Sequence, residues 1–380
     1  MREGWTYKKL GEIATFINGY AFKPEQWKDS GTPIVRIQNL NNPEAPYNYY
    51  DGEVPDKVKI KDGDLLISWS ASLGTYIWKG GDAFLNQHIF KVEFNKLDVD
   101  KMFLKYAVSS KLDAMSQLVH GATMKHIVKK DFDNTLIPYP SLSEQQSIVA
   151  ELDKINELIS LKKAQLSDLD SLAQSIFYDM FGDPIENEKG WEVKKLGEVC
   201  DVRDGTHDSP QYLSESEYFL ITSKNIQGDI IDYANVNYIS KEDYDSINKR
   251  SYVDEGDIIM GMIGTIGKPI IVHKNNLKFC VKNVALIKFP ESCLVKNVYV
   301  KALLDNDSYK QYLLSLNKGG TQKFVALGTL RTLKCPLPPL SLQQDFAKRI
   351  ELIEQQKAQI SSTIKDLETL LASRMQYWFD

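Results

Sequence analysis

The chain repeats itself, and this repeat limits its fold more than any other feature. Residues 4–13 read GWTYKKLGEI and residues 190–199 read GWEVKKLGEV, with seven of the ten positions identical, including the tryptophan. Internal similarity on this scale, with its start recurring half-way along the chain, indicates two related units. Each unit is long enough to bury a core of its own.

The match continues in the same order through both copies. The paired segments are DGDLLISWSASLG (62–74) with EGDIIMGMIGTIG (255–267), GATMKHI (121–127) with GGTQKFV (319–325), and PYPSLSEQQ (138–146) with PLPPLSLQQ (336–344). Short β-branched runs separated by Gly, Pro, Asn and Asp turns dominate each copy, together with one helical pattern. We therefore predict an α+β fold class with two similar globular domains, at residues 1–142 and 182–340.

A different pattern follows each proline-rich stretch. In residues 143–181 and 341–380 the apolar side chains recur at alternating spacings of three and four, which is typical of a coiled-coil helix. The predicted helix-pair interface consists of Ile148, Leu152, Ile155, Ile159, Leu166, Leu169, Ile350, Ile353, Ile360, Ile364, Leu367 and Leu371. Capping boxes at Ser143 with Gln146 and at Ser341 with Gln344 are expected to start the two helices.

Two helices of equal length and pattern in one chain bury both apolar stripes if they pair. Antiparallel pairing is favoured because it places the two similar domains symmetrically, so we predict an antiparallel coiled coil that separates them with pseudo-twofold symmetry. The alternative is that each helix packs on its own domain.

The overall charge of −5 does not exclude a polyanionic partner, because most of the acidic excess lies in residues 141–189. The two domains are nearly neutral and are free to carry local basic surfaces. The four cysteines have no C-x-x-C spacing, so we expect free thiols and no zinc. No apolar run reaches the length of a membrane span, and a cytoplasmic location is the expectation.

Catalytic motifs are not evident. GMIGTIGKP (261–269) has the wrong glycine spacing for a phosphate loop, and a proline takes the place of the hydroxyl residue. THDS (206–209) brings a histidine, an aspartate and a serine together, but catalytic triads assemble from distant positions. The sequence therefore predicts a binding protein that is not itself an enzyme and binds no cofactor or metal.

Several turn-rich segments combine glycine, amide, aromatic and basic residues at equivalent places in both copies. Arg, Lys, Asn and Gln side chains make bidentate contacts to base edges, and Gly-Thr-x-Lys turns offer N–H groups and a cation to phosphate. The candidate DNA-binding residues are Asn18, Tyr20, Lys23, Arg36, Gln38, Asn39, Trp69, Ser70, Gln87, His88, Thr123, Lys125, His126, Arg203, Thr206, His207, Ser223, Lys224, Asn225, Thr265, Lys282, Asn283, Thr321, Gln322 and Lys323.

Within this set, Lys125 and Lys323 are the predicted phosphate contacts. The predicted base contacts are Arg36, Gln38, Lys224, His88 and His207. For any one segment a solvated turn is the alternative interpretation, and the two histidines are equally compatible with packing or capping roles. The joint recurrence of the segments in both copies favours DNA.

The order GWxxxKLGEI, a variable region, DGDLL or EGDII, NQH, GATMKHI, PLPPLSLQQ and a long helix, carried by two copies, resembles the specificity subunit of type I restriction-modification systems. The resemblance implies two target-recognition domains that each read half of a bipartite double-stranded DNA target. It also implies that the helices set the spacer and dock two methyltransferase subunits, and that restriction/translocase subunits join the complex. Adenine N6-methylation from S-adenosylmethionine and ATP/Mg-dependent cleavage would belong to those partners.

Other functions remain open at this stage. The chain is also compatible with a coiled-coil interaction scaffold whose end domains bind peptides, or with an enzyme that carries its own nuclease or methyltransferase activity. Within the resembling family, a complex that only methylates is a further alternative. A salt titration of binding to random duplex DNA separates the first alternative from DNA recognition, because phosphate contacts give a steep salt dependence.

Overall fold

The computed structural model describes residues 4–118, 127–207, 209–228, 230–262, 268–274, 276–316 and 325–380. These residues form two compact units of mixed sheet and helix, as the repeat predicts. Unit 1 comprises Met1–Lys163 and Ser362–Asp380, and unit 2 comprises Ala164–Ser361. Both division points lie inside the two long helices, so each unit contains a part of each helix.

The helices are α1 (Leu10–Ile13), α2 (Ile37–Asn41), α3 (Lys101–Leu118), α4 (Lys129–Asp133), α5 (Leu142–Phe181), α6 (Leu196–Val199), α7 (Lys241–Ser251), α8 (Asn297–Asp305), α9 (Asp307–Ser315), α10 (Leu327–Thr332) and α11 (Leu340–Phe379). Short 3-10 helices lie at Pro24–Gln26, Asp56–Val58 and Ser223–Asn225. Helices α5 and α11, each 40 residues long, are the two helices that the heptad pattern predicts.

The strands of unit 1 are β1 (Thr6–Lys9), β2 (Thr15–Asn18), β3 (Thr32–Val35), β4 (Asn48–Tyr50), β5 (Lys59–Ile60), β6 (Leu65–Ser68), β7 (Gly74–Ile77), β8 (Ala83–Leu85), β9 (Ile89–Glu93) and β10 (Leu136–Tyr139). Those of unit 2 are β11 (Glu192–Lys195), β12 (Asp201–Asp204), β13 (Tyr218–Thr222), β14 (Ile226–Gln227), β15 (Ile230–Ile231), β16 (Asn237–Tyr238), β17 (Ile258–Gly261), β18 (Pro269–Ile271), β19 (Lys278–Lys282), β20 (Val284–Lys288) and β21 (Lys334–Leu337).

The sheet topology is repeated in the two units. In unit 1 an antiparallel sheet of order β2-β9-β6-β7 accompanies a sheet of order β4-β3-β8-β5, in which β3 and β8 are parallel. In unit 2 the corresponding sheets have the orders β12-β20-β17-β18 and β16-β13-β19, and β13 and β19 are parallel. In each unit the strand that opens the repeat pairs with the strand that closes it, β1 with β10 and β11 with β21.

The core of each unit includes the end of a long helix. In unit 1 the fully buried ring of Phe379, near the end of α11, packs 5.4 Å from the ring of Phe103 on α3. In unit 2 the ring of Phe181, at the end of α5, lies 4.9 Å from Tyr299 on α8. Each repeat is therefore completed by the helix that follows the other repeat.

The helices run antiparallel in unit 1. The guanidinium of Arg374 on α11 pairs with the carboxylate of Glu151 on α5, and Lys163 pairs with Glu368 at 3.0 Å. The later residue of α5 thus meets the earlier residue of α11, which requires opposite chain directions.

Unit 2 repeats this arrangement. Lys357 on α11 lies 2.8 Å from Asp170 on α5, and the ring of Phe346 lies 5.8 Å from that of Phe177. The predicted antiparallel pairing is confirmed in both units, and the alternative that each helix packs only on its own domain is wrong.

The positions predicted for the helix-pair interface are removed from solvent. The buried ones are Ile148, Leu152, Ile155, Ile159, Leu169, Ile353, Ile360 and Ile364, and the half-buried ones are Leu166, Ile350, Leu367 and Leu371. The cations in the apolar stripe, Lys357 and Arg374, each meet a carboxylate of the facing helix, so their charges are compensated.

The predicted capping boxes are wrong. Ser141, two residues before the predicted cap, accepts the Glu144 N–H with its hydroxyl, and the Glu144 carboxylate accepts the Ser141 N–H at 3.1 Å. Helix α11 begins at Leu340, where the carbonyl of Pro339 accepts the first amide bonds, so neither Ser143 nor Ser341 is the cap.

The repeated glutamine after each proline-rich stretch explains why these segments are alike. Buried Gln145 donates to the Pro140 carbonyl at 3.0 Å and accepts the Asp100 N–H at 2.9 Å. Its counterpart Gln343 donates to the Pro338 carbonyl at 2.9 Å and accepts the Lys296 N–H at 2.8 Å. The amide fixes the start of each long helix to the loop before α3 or α8.

Candidate nucleic-acid interface

Sheet end 1 is the name used here for Asn18, Trp69 and His88, which lie at one end of the β2-β9-β6-β7 sheet. Asn18 ends β2, Trp69 follows β6 and His88 precedes β9. Because neighbouring strands are antiparallel, these three positions meet at the same end of the sheet. The indole N–H of Trp69 donates to the Asn18 carbonyl oxygen at 3.1 Å, and the His88 ring lies 5.0 Å from the Trp69 ring.

Sheet end 2 comprises Asp204, His207, Arg250 and Asn283 in unit 2. Asp204 ends β12 and Asn283 precedes β20, at the places that Asn18 and His88 hold in unit 1. One oxygen of the Asp204 carboxylate accepts from the Arg250 guanidinium, and the other lies 2.9 Å from His207 Nε2. His207 Nδ1 lies 2.9 Å from the Asn283 side-chain oxygen.

The electrostatics of sheet end 2 follow from these contacts. Burial raises the pKa of Asp204, but the hydrogen bond with His207 and the charge of Arg250 outweigh it and lower that pKa below its ordinary value. Hydrogen bonds to Asn283 and Asp204 raise the pKa of His207 above its ordinary value. Because both neighbours of the ring are acceptors, only the protonated imidazole donates to both at once.

A glycine holds each sheet end close to the neighbouring backbone. A Cβ on Gly19, which follows Asn18, would lie 2.1 Å from the carbonyl oxygen of Asn86. A Cβ on Gly205, which follows Asp204, would lie 2.4 Å from the carbonyl oxygen of Val281. No side chain fits at such distances. Both repeats therefore require glycine directly after β2 and β12, where the chain passes close to the neighbouring backbone.

The residue before β9 in unit 1 and before β20 in unit 2 has a left-handed backbone. His88 has φ +74° and Asn283 has φ +55°. A non-glycine residue in this region is uncommon, and such residues concentrate at functional sites. The strain is thus found where the exposed side chains of each sheet end converge.

The chain returns to the sheet at the same place in both units after the predicted phosphate-contacting turns. The Ile127 N–H donates to the Trp69 carbonyl at 3.0 Å, and the Val325 N–H donates to the Met262 carbonyl at 2.9 Å. The predicted DNA contacts in these turns, together with Thr265 between β17 and β18, lie outside the described residues: Thr123, Lys125, His126, Thr265, Thr321, Gln322 and Lys323.

Two asparagines predicted to bind DNA have a structural role instead. Asn39 is buried and donates to the Ala45 carbonyl at 3.1 Å, while its side-chain oxygen accepts the Arg36 N–H. Asn225 is buried in the same way and donates to the Asn235 carbonyl at 2.8 Å. Both amides hold the loop that follows β3 or β13, which corrects their assignment to DNA.

Three further candidates lie inside the fold. Ser70, Thr206 and Lys282 are buried, and the Lys282 ammonium donates to the Ser209 hydroxyl at 2.6 Å. Their assignment to DNA is corrected too, since a buried side chain of this kind does not reach a duplex. The sequence shows that these residues lie near strand ends, but it does not show whether their side chains are buried or face solvent.

The remaining described candidates are placed at the surface or near it. Exposed or half-buried are Tyr20, Lys23, Arg36, Gln38, Gln87, Arg203, Ser223 and Lys224. The Arg36 guanidinium lies 4.9 Å above the Trp27 ring and donates to Asn48, which fixes its direction. Arg203 pairs with Asp201 and donates to the Arg250 carbonyl at 2.9 Å.

Arg250 and Asp204 are the site residues that sequence reasoning missed. Arg250 lies on α7, which connects β16 to β17. In unit 1 the corresponding connection, from β4 to β6, contains a 3-10 helix and the short strand β5 instead. Comparison of the two copies therefore gave no counterpart for it. Within the described residues no cluster of metal-ligating side chains occurs, and no helix among them is long and apolar enough to cross a membrane.

A sequence model of the type I restriction modification DNA specificity domain matches residues 2–170 and again residues 188–369. The chain belongs to this family. The two matches together cover most of the chain, and they correspond to the two copies of the repeat.

Members of this family are similar along nearly the whole chain. The type I restriction enzyme EcoBI specificity subunit of Escherichia coli is 24% identical, covering 92% of this chain and 79% of that protein. The MjaVIII specificity subunit of Methanocaldococcus jannaschii is 23% identical, covering 97% of this chain and 92% of that protein.

Solved structures of the family share the fold. The S subunit of the type I restriction-modification system from M. genitalium superposes with a TM-score of 0.53 at 16% identity, covering 99% of this chain and 96% of that one. A chain from a structure of type I R-M complex assembly and conformational transition gives a TM-score of 0.58 at 18% identity, covering 99% and 97%.

Proposed function

We propose that this chain reads DNA for a type I restriction-modification complex, with sheet end 1 and sheet end 2 each contacting one half of a bipartite duplex target. The observation that carries the proposal is the repeated scaffold with different exposed polar groups. Unit 1 presents an amide, an indole and an imidazole, whereas unit 2 presents a guanidinium, an imidazole and an amide. Such groups discriminate base edges in the major groove.

Phosphate contacts would position each unit on the duplex without reading its sequence. The turns that contain Lys125 and Lys323 remain our candidates for this role, together with exposed Lys23 and Lys224. Ile127 and Val325, which follow those turns, are hydrogen-bonded to Trp69 of sheet end 1 and to Met262, its equivalent in unit 2. A turn at that place would therefore contact the backbone beside the bases being read.

The long helices would set the distance between the two half-sites. A helix of 40 residues is roughly 60 Å long, and ion pairs and apolar contacts stiffen the pair in both units. In this proposal α5 and α11 also dock two methyltransferase subunits, and restriction/translocase subunits join them in the cytoplasm. S-adenosylmethionine, ATP and Mg would be used by those partners, so methylation and cleavage would not be catalysed by this chain.

Shortening both helices by one heptad tests this function. Deleting residues 161–167 from α5 and residues 360–366 from α11 keeps the apolar stripe in phase and removes roughly 10 Å of helix. The unread spacer should then shorten by about three base pairs, since the bases of a strand rise 3.4 Å each. Both half-sites should stay the same. Sequencing of methylated sites in cells that carry the chain with its methyltransferase measures the spacer length and both half-sites.

A matched control replaces the exposed Leu172 and Leu370, one on each helix, by alanine without changing helix length. This variant should keep the wild-type spacer. A heptad deletion that changes a half-site while the spacer stays the same would contradict the proposal. So would binding to random duplex DNA that does not weaken with salt.

A further inference from the structure

Sheet end 2 holds an arginine that the family match does not assign to any role. Arg250 is the penultimate residue of α7, and its side chain is 66% exposed although its guanidinium pairs with a carboxylate that is only 10% exposed. An exposed arginine anchored by a buried acid is fixed in direction before any ligand arrives.

The anchor of Arg250 is attached to the fold at several points. Asp204 ends the edge strand β12 and pairs with Ala285 of the central strand β20, so its backbone is held by the sheet. The carbonyl of Arg250 itself accepts from Arg203 at 2.9 Å, which fastens the end of α7 to the same strand. Both the backbone and the head group of Arg250 are therefore held by β12.

This pairing does not use up the guanidinium. Asp204 accepts from Nη2, whereas arginine carries five N–H donors in a planar fork. The Nη1 group and the second hydrogen of Nη2 are directed away from that oxygen by the geometry of the fork. Two parallel donors of this kind match the O6 and N7 acceptors of guanine, the commonest specific contact in the major groove.

We propose that Arg250 reads a guanine in the half-site contacted by unit 2, and that Asp204 and His207 hold it in the reading direction. The inference rests on the proposed function and adds the chemical identity of one base. At the equivalent place in unit 1, the Asn18 oxygen accepts from the neutral indole of Trp69, so the half-site of unit 1 lacks this reader.

The first experiment maps methylated sites for the full complex with wild-type chain and with Arg250→Ala. The wild type should give a bipartite target whose unit 2 half contains a G·C pair. Arg250→Ala should relax that one position while the other half-site and the spacer stay unchanged. Lys249→Ala, which removes a neighbouring exposed cation of the same helix, should leave every position as in the wild type.

The second experiment measures binding of the complex to that target and to the same target with 7-deazaguanine at the assigned position. Loss of N7 removes one of the two acceptors, so it should weaken wild-type binding by less than the about 5- to 150-fold range of a whole bidentate contact. Arg250→Ala should bind both duplexes equally. Arg250→Lys keeps the charge but not the planar fork, so its discrimination between the two duplexes should lie between those of the wild type and the alanine variant.

Several results would overturn the inference. A unit 2 half-site without a G·C pair is one, and continued discrimination against 7-deazaguanine by Arg250→Ala is another. An equal loss of affinity for all DNA sequences would make Arg250 a phosphate contact. If the wild-type complex methylates no bipartite target, the proposed function itself fails. This outcome is distinguishable because it does not involve Arg250.

Asp204→Asn tests the positioning role and should relax the same base position as Arg250→Ala.

Discussion

Sheet end 1 and sheet end 2 lie on equivalent strands of the two units but differ in their charged residues. Sheet end 1 contains no acidic residue and its Asn18 accepts from Trp69, whereas sheet end 2 replaces the asparagine by Asp204, which pairs with Arg250 and His207. Around both, three features are alike: the glycine after Asn18 or Asp204, the left-handed residue before β9 or β20, and the loop that returns to the sheet. The two repeats therefore share the backbone geometry of the sheet end but differ in its exposed polar side chains.

This difference separates two kinds of position in the chain. Where the two units agree, the residue supports packing or backbone geometry, and equivalent substitutions should have equivalent effects. Where they differ, at Asp204 and on helix α7, the residue is free to serve recognition. This comparison fails if equivalent substitutions in the two units have unequal effects at a position where the units agree.

The largest effect is expected for the aromatic residues that end the long helices. Phe379→Ala should destabilise unit 1, and Phe181→Ala should destabilise unit 2, each by about 3–5 kcal/mol, because a buried ring leaves a cavity. Hydrogen exchange of β9 and β20 measures each unit separately. The exposed pair Leu370→Ala and Leu172→Ala should stay within about 0.5 kcal/mol. A large loss in one unit only would show that the two cores are not equivalent.

A smaller effect is expected for the buried asparagines. Asn39→Ala and Asn225→Ala should each cost about 1–3 kcal/mol, since each leaves buried backbone groups without a partner. Hydrogen exchange of β3 and β13 reports this loss. The exposed neighbours Gln38 and Lys224 provide the matched alanine controls, for which little change in stability is expected. If Asn39→Ala relaxed the recognised bases at full stability, our structural assignment would be refuted.

The smallest effect concerns His207, whose pKa is raised by Asn283 and Asp204 against the charge of Arg250. A raised pKa means that the charged ring stabilises unit 2 fully below the unfolded value of about 6.5, and that this contribution is lost as the pH rises through the folded pKa. The change should stay below about 1 kcal/mol, because the ring is largely exposed. Unfolding of wild type and His207→Gln from pH 5 to pH 9 should converge at the alkaline end; parallel curves would exclude this linkage.

The long-range plan of the fold was predictable from the sequence because its signals are periodic or repeated. The heptad stripe from Ile148 to Leu169 requires an apolar partner, and the second copy of it in the chain supplies one. The repeat likewise predicts two like domains. The helix starts were predicted incorrectly, because Ser141 and Ser143 lie close together at the start of α5 and only the local backbone decides that Ser141 is the cap.

The candidate site was predictable only as a region. Asn18, Trp69, His88 and His207 do converge on the sheet ends, since each lies at the end of a strand or within three residues of one. Asn39 was misassigned because an asparagine that holds a loop and one that reads a base have the same local sequence signal. Arg250 was missed because its partner Asp204 is distant in sequence and α7 has no counterpart in unit 1.

The placement of Phe379 in the core of unit 1 has a consequence for biosynthesis. Its carbonyl accepts from Lys111 at 2.6 Å, and neighbouring Trp378 stacks on Trp5 with 6.0 Å between ring centroids. Roughly 200 residues separate Lys163 from Ser362, so a ribosome needs roughly 10–40 s to deliver the missing helix. During that interval the nascent first domain lacks the side chain that fills the apolar site of Phe379, so we expect chaperones to bind it until translation supplies α11.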